Sequence, residues 1–454
     1  ANTEQLSGGG QLSAQVPGAT LEAKAQAAPI KGQGDVALKL ASAEQLLQWL
    51  RKLPGVAEAM PPALQAQGSL DAQLRFSGGY GDALRQLRQA GLLAQIPAGI
   101  ATQGAQAFAL DANISTPQLR VRSSEAAADW QLRNTKLLLS GNLAKVQADL
   151  QTEARQGDQQ FAGQLQLAAN SGANQQWSGS LSRLQASATL PPNKKPWQLL
   201  LQQPLDFKLQ LPQGKQALQV STGASQLQLS GPEPGTVTLQ WNPLQFSQAA
   251  DKSLQLQSTG TVQGLPLRWA RAFQKPDANQ NQGVNPLDSD LVVQGRWDIN
   301  TSNGLNAKLL VERASGDLRL HSQSSAPKSV TFHSSGSEGS LAKAFAAQGQ
   351  TITAGIRSAQ VELNVQDRQV QAQVRWDSVN AGQLTANLQT ALQYEGKDYL
   401  AASLAPDAPL SGTIKAQMPD LGIWANFAPP GWRVAGSLGA DVQLSGNLRD
   451  PRWA

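Results

Sequence analysis

From Leu64 to Phe76 the chain alternates without interruption: Leu64, Ala66, Gly68, Leu70, Ala72, Leu74 and Phe76 are apolar or small, while Gln65, Gln67, Ser69, Asp71, Gln73 and Arg75 are polar. Successive side chains of a strand point to opposite faces, so a period of two dictates one extended strand with an apolar face and a wet face. At roughly 3.3 Å per residue it spans about 40 Å. An apolar face of that length has to be covered, and this need constrains what the chain can fold into.

The device recurs near the other end, where Val434, Gly436, Leu438, Ala440, Val442 and Leu444 alternate with polar residues. The segment from Gly68 to Gly78 aligns with that from Gly436 to Gly446, and Leu-Ser-Gly returns at Leu6, Leu139, Leu229, Leu410 and Leu444. Self-similarity of this kind marks a repetitive, extended β architecture, with glycine at strand ends, bulges and turns. No segment of the 454 residues exchanges this texture for a separate globular pattern, so 1–454 is expected to form one continuous region. With 41 Gly, 25 Pro, 5% aromatic and 15% charged residues, the composition suits a wet-faced sheet better than a dense enzyme core.

The net charge of +5 does not point to nucleic acid, because Lys and Arg are scattered and the one tight basic pair, Lys194-Lys195, lies among Pro191, Pro192 and Pro196. With no Cys, disulfides, thiolate metal sites and thiol nucleophiles are excluded. No apolar run approaches the about 20 residues that span a bilayer, and the start at Ala1 has neither the basic nor the apolar part of a leader. The abrupt ends read as those of an excerpt from a longer protein.

Amphipathic spacing predicts short helices at 43–53, after the capping box Ser42-Ala43-Glu44-Gln45, and at 81–94, 265–273 and 340–347. The polar stretch 275–286 is expected to be a mobile loop. Everything else reads as strand. Between 359 and 376, folding about Asp367-Arg368 places Val365 opposite Val370, Leu363 opposite Ala372, Val361 opposite Val374 and Ala359 opposite Trp376. All the apolar residues then share one face, which a one-residue slip would destroy. Asp-Arg is not a favoured tight-turn pair, so the register is defined where the turn type is not.

Enzymatic chemistry has little to stand on. His321 and His333, the only two histidines, lack carboxylates at ligand spacing. Ser340-Leu341-Ala342-Lys343 matches Ser-x-x-Lys without its companion motifs and reads as the first turn of a helix. Gly8-Gly9-Gly10 and Gly32-Gln33-Gly34 do not open a phosphate cradle, and carboxylates are spread singly. No catalytic residue, metal or cofactor is expected.

The expected fold is therefore all-β: a long, repetitive, curled antiparallel-type sheet folded like a taco around an apolar groove, with few short helices. Collapse of the same face into a dry sandwich core is the alternative. A trough of small apolar residues suits a flexible acyl chain, whose burial is worth about 0.8 kcal/mol per methylene, or about 13 kcal/mol for roughly 16 carbons. Alternation and hairpin register put Leu70, Leu74, Phe76, Val361, Leu363, Val365, Val370, Val374, Trp376, Ile414, Leu438, Val442 and Leu444 on that face as candidate groove-lining residues.

Particular phrases carry a resemblance. The stretch from Leu410 to Leu421, the Pro429-Pro430-Gly431 break, and the run from Val434 to Leu448 with Pro451 resemble the body of the AsmA-like TamB family of Gram-negative envelopes. Gly264-Leu265-Pro266-Leu267-Arg268-Trp269, Gly295-Arg296-Trp297-Asp298 and Ser315-Gly316-Asp317-Leu318-Arg319-Leu320 are similar to its recurring phrases. The likeness is clearest from about 254 to 454 and resembles the central-to-late periplasmic part of such a protein. It implies a periplasmic β-groove between an inner-membrane anchor and a TamA-type outer-membrane barrel, carrying phospholipid or assisting barrel-protein assembly. The anchor and docking ends are expected outside this chain. Two other functions stay open: a scaffold pairing its strand edges with unfolded outer-membrane strands, and a β-solenoid adhesin or passenger stalk.

Overall fold

The computed structural model describes residues 7–56, 60–61, 63–89, 93–97, 99–123, 128–142, 144–172, 176–212, 218–248, 253–273, 289–321, 351–396, 399–421 and 436–454. The expected helix at 340–347 and loop at 275–286 lie outside these residues, as do His333, Ser340 to Lys343 and the Pro429-Pro430-Gly431 break. The protein is all-β with two short α-helices among the described residues. Twenty-six strands belong to one sheet, and Arg319–His321 with Thr351–Thr353 form a separate pair. The strand registers described are antiparallel.

By packing, the chain resolves into two units, Ala1–Pro232 with Trp241–Lys252, and Glu233–Gln240 with Ser253–Ala454. The first boundary falls in the break Gly231-Pro232-Glu233-Pro234-Gly235, with short alternating strands on either side.

In the first unit each strand pairs with the next in a meander: Gly8–Val16, Ala19–Ala27, Gln33–Leu40, Leu70–Ser77, Ala109–Arg122, Trp130–Asn142, Lys145–Gln156, Gln159–Ser171 and Gln176–Thr189. Tight turns make this possible. Pro17-Gly18 joins the first two strands with Gly18 at φ 83°, and a Cβ there would lie 2.3 Å from the Ser42 carbonyl oxygen. At Gln176–Thr189 the sheet forks, Leu205–Gln210 pairing beside one half and Trp197–Leu201 beside the other.

The helices sit where strand lengths change. Ala109–Arg122 has 14 residues against 8 in Leu70–Ser77, and the overhang is paired by Gln65–Gly68. Helix α1 (Ala43–Leu50) packs on that short strand, starting from Ser42, whose hydroxyl accepts the Gln45 N–H at 3.3 Å. Arg51 donates to the Leu64 carbonyl at 2.5 Å. Helix α2 (Tyr80–Gln89) leaves the opposite end of Leu70–Ser77, where Asp82, 2% exposed, accepts the Phe108 N–H at 2.7 Å. α1 ends at Leu50, before the expected 53, and α2 spans Tyr80–Gln89 against the expected 81–94, of which 90–92 lie outside the described residues.

In the second unit the order is Leu254–Pro266, Val292–Asn300, Asn306–Ser315, Ile356–Gln366, Gln369–Ser378, Gln383–Gln393, Ser411–Met418, Leu438–Gly446 and Pro451–Trp453. The stretch expected as an amphipathic helix at 265–273 is different. Leu265 and Pro266 still pair with Val293 and Val292 after a register shift at Gly264, φ 76°, and only Leu267–Phe273 turns, as a 3-10 helix. Ladder pairing of the first two residues outweighs the helical spacing.

Candidate functional site

The pairings place residues of one face in rows that run across the strands. In the first unit one row reads Leu12, Ala23, Val36, Leu74, Ala112, Leu139, Ala148, Leu167, Leu181 and Leu205. The next reads Ala14, Leu21, Leu38, Ala72, Ile114, Leu137, Leu150, Leu165 and Leu184. Phe76 belongs to a third, between Gly34 and Leu110, and Leu70 pairs with Leu40 at the strand end. No charged residue enters these rows.

In the second unit the hairpin register is the one expected: Val365 faces Val370, Leu363 faces Ala372, Val361 faces Val374 and Ala359 faces Trp376. One row continues as Val311, Val361, Val374, Ala386, Ile414 and Val442. Its neighbour is Trp297, Leu309, Leu363, Ala372, Leu388, Gly412, Leu444 and Trp453. Trp376 leads to Leu384, Ala416 and Ala440, and Leu438 pairs with Met418. Every candidate lining residue therefore has apolar-face parity. Leu309, Val311, Ala386 and Leu388, and most of the rows of the first unit, share this face in addition to the expected lining residues. The signal that would have found them is the same period of two, applied strand by strand.

Burial along these rows is uneven. At one end of the second unit's strands Leu291, Ala354, Ile356 and Ala381 form a buried cluster, packed by Leu267 of the 3-10 helix, Val293, Leu318, Ala359 and Trp376. At the other, Leu305, Val365 and Val370 are buried under Leu392, Tyr399 and Ala402. Between them the face is open at Val311 and Val361, directly paired and 47% and 46% exposed, and closed again at Ala386, 5% exposed in the same row. Leu74 in the first unit is 37% exposed.

Asp317 fixes one rim by accepting the Gly355 and Ile356 N–H groups at 2.8 and 3.2 Å. The other rim is held at the hairpin turn. Asp367 takes φ 52°, its N–H donates to the Leu305 carbonyl at 2.6 Å, and its carboxylate accepts the Tyr394 hydroxyl. The Arg368 guanidinium lies 4.5 Å from the centre of the Tyr394 ring and donates to that residue's carbonyl at 3.3 Å. Burial, then the Asp367 hydrogen bond, push the Tyr394 hydroxyl above its ordinary range.

The opposite face is wet and its charges alternate in sign. Lys24, Asp35, Arg75 and Asp111 follow one another across four strands, with Arg75 Nε 2.8 Å from Asp35. Lys415 lies 3.1 Å from Asp441. Such exposed pairs add little stability, but they avoid like charges side by side. The Asp129 carboxylate, held by Arg122 and then Arg120, is kept below the usual carboxylate range.

Two cavities of about 540 and 710 Å³ are lined mostly by residues of wet-face parity, among them Asp206, Lys208 and Ser221 in one and Lys24, Asp35 and Arg75 in the other. Gly179 and Phe207 of the apolar-face parity also line the first, and Gly34 and Phe76 the second.

Among the described residues, no helix is long and apolar enough to cross a membrane. Residues 309–454 are similar to the family model of the TamB N-terminal domain. The matched model is N-terminal by description, whereas the repeat phrases resemble the central-to-late part. No curated protein and no solved structure matches the chain.

Proposed function

We propose that this TamB-family chain is a periplasmic section of an envelope bridge that carries phospholipid acyl chains on its apolar face between the inner and outer membranes. The observation that supports this most is the run of uncharged rows left open between packed strand ends. A side chain such as Val361 at 46% exposure is too accessible for a sandwich core, yet it lies in an apolar row six strands wide. A flexible acyl chain meets that surface without asking for hydrogen bonds, at about 0.8 kcal/mol per methylene. The phosphate headgroup stays in water. Docking to a TamA-type barrel belongs, in this reading, to other parts of the full-length protein.

Native mass spectrometry of the chain purified from a Gram-negative envelope tests the proposal. Bound phospholipid, displaced by added fatty acid, is expected. Capture of unfolded outer-membrane strand peptides with no lipid bound would instead support the scaffold function.

A further inference from the structure

Three aromatic side chains of the apolar face lie over a glycine on the neighbouring strand. A Cβ built on Gly34 would sit 2.3 Å from Phe76 Cε1 and 2.7 Å from its Cζ. One on Gly179 would sit 2.6 Å from Phe207 Cζ, and one on Gly260 would sit 2.3 and 2.4 Å from Trp297 Cζ2 and Cη2. Each pair is directly opposed across two strands. Side chains of a strand normally stand up from the sheet. For a ring to fill the place of a Cβ one strand away, about 4.8 Å off, it has to lie down across that strand.

Other contacts hold the rings there. The Trp297 indole N–H donates to Ser258 Oγ at 2.9 Å, two residues before Gly260 on the same face, so the ring runs along the strand. Phe76 stacks on Phe108 at 5.9 Å with 23° between the planes. Covering glycine with an aromatic ring stabilises a sheet anywhere. Here it occurs on the apolar face, and it keeps these three rings from rising above it.

We propose that Gly34, Gly179 and Gly260 are positioning residues that let Phe76, Phe207 and Trp297 lie flat, keeping the apolar face shallow enough for an acyl chain to lie on it. The inference rests on the lipid-carrying function proposed above. Gly34 offers the cleanest test, because the three atoms nearest an added Cβ are side-chain atoms, of Phe76 and Ala25, whereas Gly179 and Gly260 also face the backbone oxygens of Ala168 and Gln240.

The chain carrying a photoreactive residue in place of Leu38, on the same face, is incubated with vesicles of phosphatidylethanolamine and phosphatidylglycerol and irradiated. Gly34→Ala is expected to lower the lipid crosslinking yield by about fourfold for each methylene the raised ring displaces. Adding Phe76→Ala to Gly34→Ala brings the yield back to that of Phe76→Ala alone, because the obstructing ring is gone and both proteins lack its lipid contact. Undiminished crosslinking in folded Gly34→Ala, or a double variant that stays below Phe76→Ala alone, overturns the inference and leaves the lipid reading standing. No lipid crosslink in the wild-type chain overturns both.

Discussion

Val374→Arg places a guanidinium in the middle of the open strip, where Val374 is flanked directly by Val361 and Ala386. Because Val361 is nearly half exposed, the arginine stem can lie along the strip with its charge reaching water, so the substitution leaves the fold intact. An occupant has no such escape. A stem and head group lying in the strip displace roughly three to four methylenes, about 3 kcal/mol or roughly 100-fold in occupancy. Any acyl segment left beside the charge adds a desolvation cost.

Arg375→Glu is the control. Arg375 belongs to the opposite face, paired with Gln360 and Thr385, so its reversal leaves lipid binding unchanged. In a full-length protein carrying each change, circular dichroism monitors folding and photocrosslinking reports lipid occupancy. Equal losses from both substitutions, or undiminished crosslinking in well-folded Val374→Arg, would refute the assignment of transport to this face.

Three further outcomes follow from particular contacts. Asp82→Ala removes the acceptor of the Phe108 N–H from a buried site and is expected to cost about 1–3 kcal/mol in chemical denaturation, with Asp82→Asn recovering part of it. Asp129 has its carboxyl held low by Arg122 and Arg120, so its contribution is present above the ordinary carboxylate range and is lost as pH falls through the depressed folded value. Acid unfolding of Asp129→Asn, followed by tryptophan fluorescence, should lack that component. Tyr394→Phe deletes the hydroxyl donated to Asp367 and should cost about 1 kcal/mol. Because burial raises the Tyr394 hydroxyl, its contribution is complete below about pH 10 and fades as pH rises through the folded value, so the two proteins converge in stability at high pH.

What was legible in the sequence was what period two encodes. The register from Ala359 to Trp376 could be read because apolar residues on both arms agree on one alignment. Its turn could not be read: Asp367 adopts a left-handed conformation anchored by Tyr394, a partner 27 residues away. Local propensity contains no trace of such a contact. The fork at Gln176–Thr189 was equally invisible, since which of Trp197–Leu201 and Leu205–Gln210 lies beside which half depends on the bulge between Leu181 and Arg183. The flattened rings were hidden for the same reason. Gly34 and Phe76 are both ordinary in a strand, and only the ladder sets one over the other.

The open strip also discriminates among the ways a sheet can cover an apolar face. In a dry sandwich the centre of each strand is the most buried part and the ends are wet. Along Ile356–Gln366 the order is reversed: Ile356 and Val365 near its ends are each 5% exposed, while Val361 in the middle is among the most exposed apolar residues. A β-solenoid stacked on its own interior side chains would likewise bury the middle first. Exposed apolar surface flanked by packed rims is the pattern of a binding face, since contiguous patches above a few hundred Å² seldom face water without a partner. With small aliphatic residues throughout and no hydrogen-bonding side chain at the centre of the strip, that face selects for apolar bulk without demanding a particular shape. A protein strand added at a sheet edge would satisfy backbone groups and leave the open face as it is. The proposed lipid function uses the face, the scaffold function an edge.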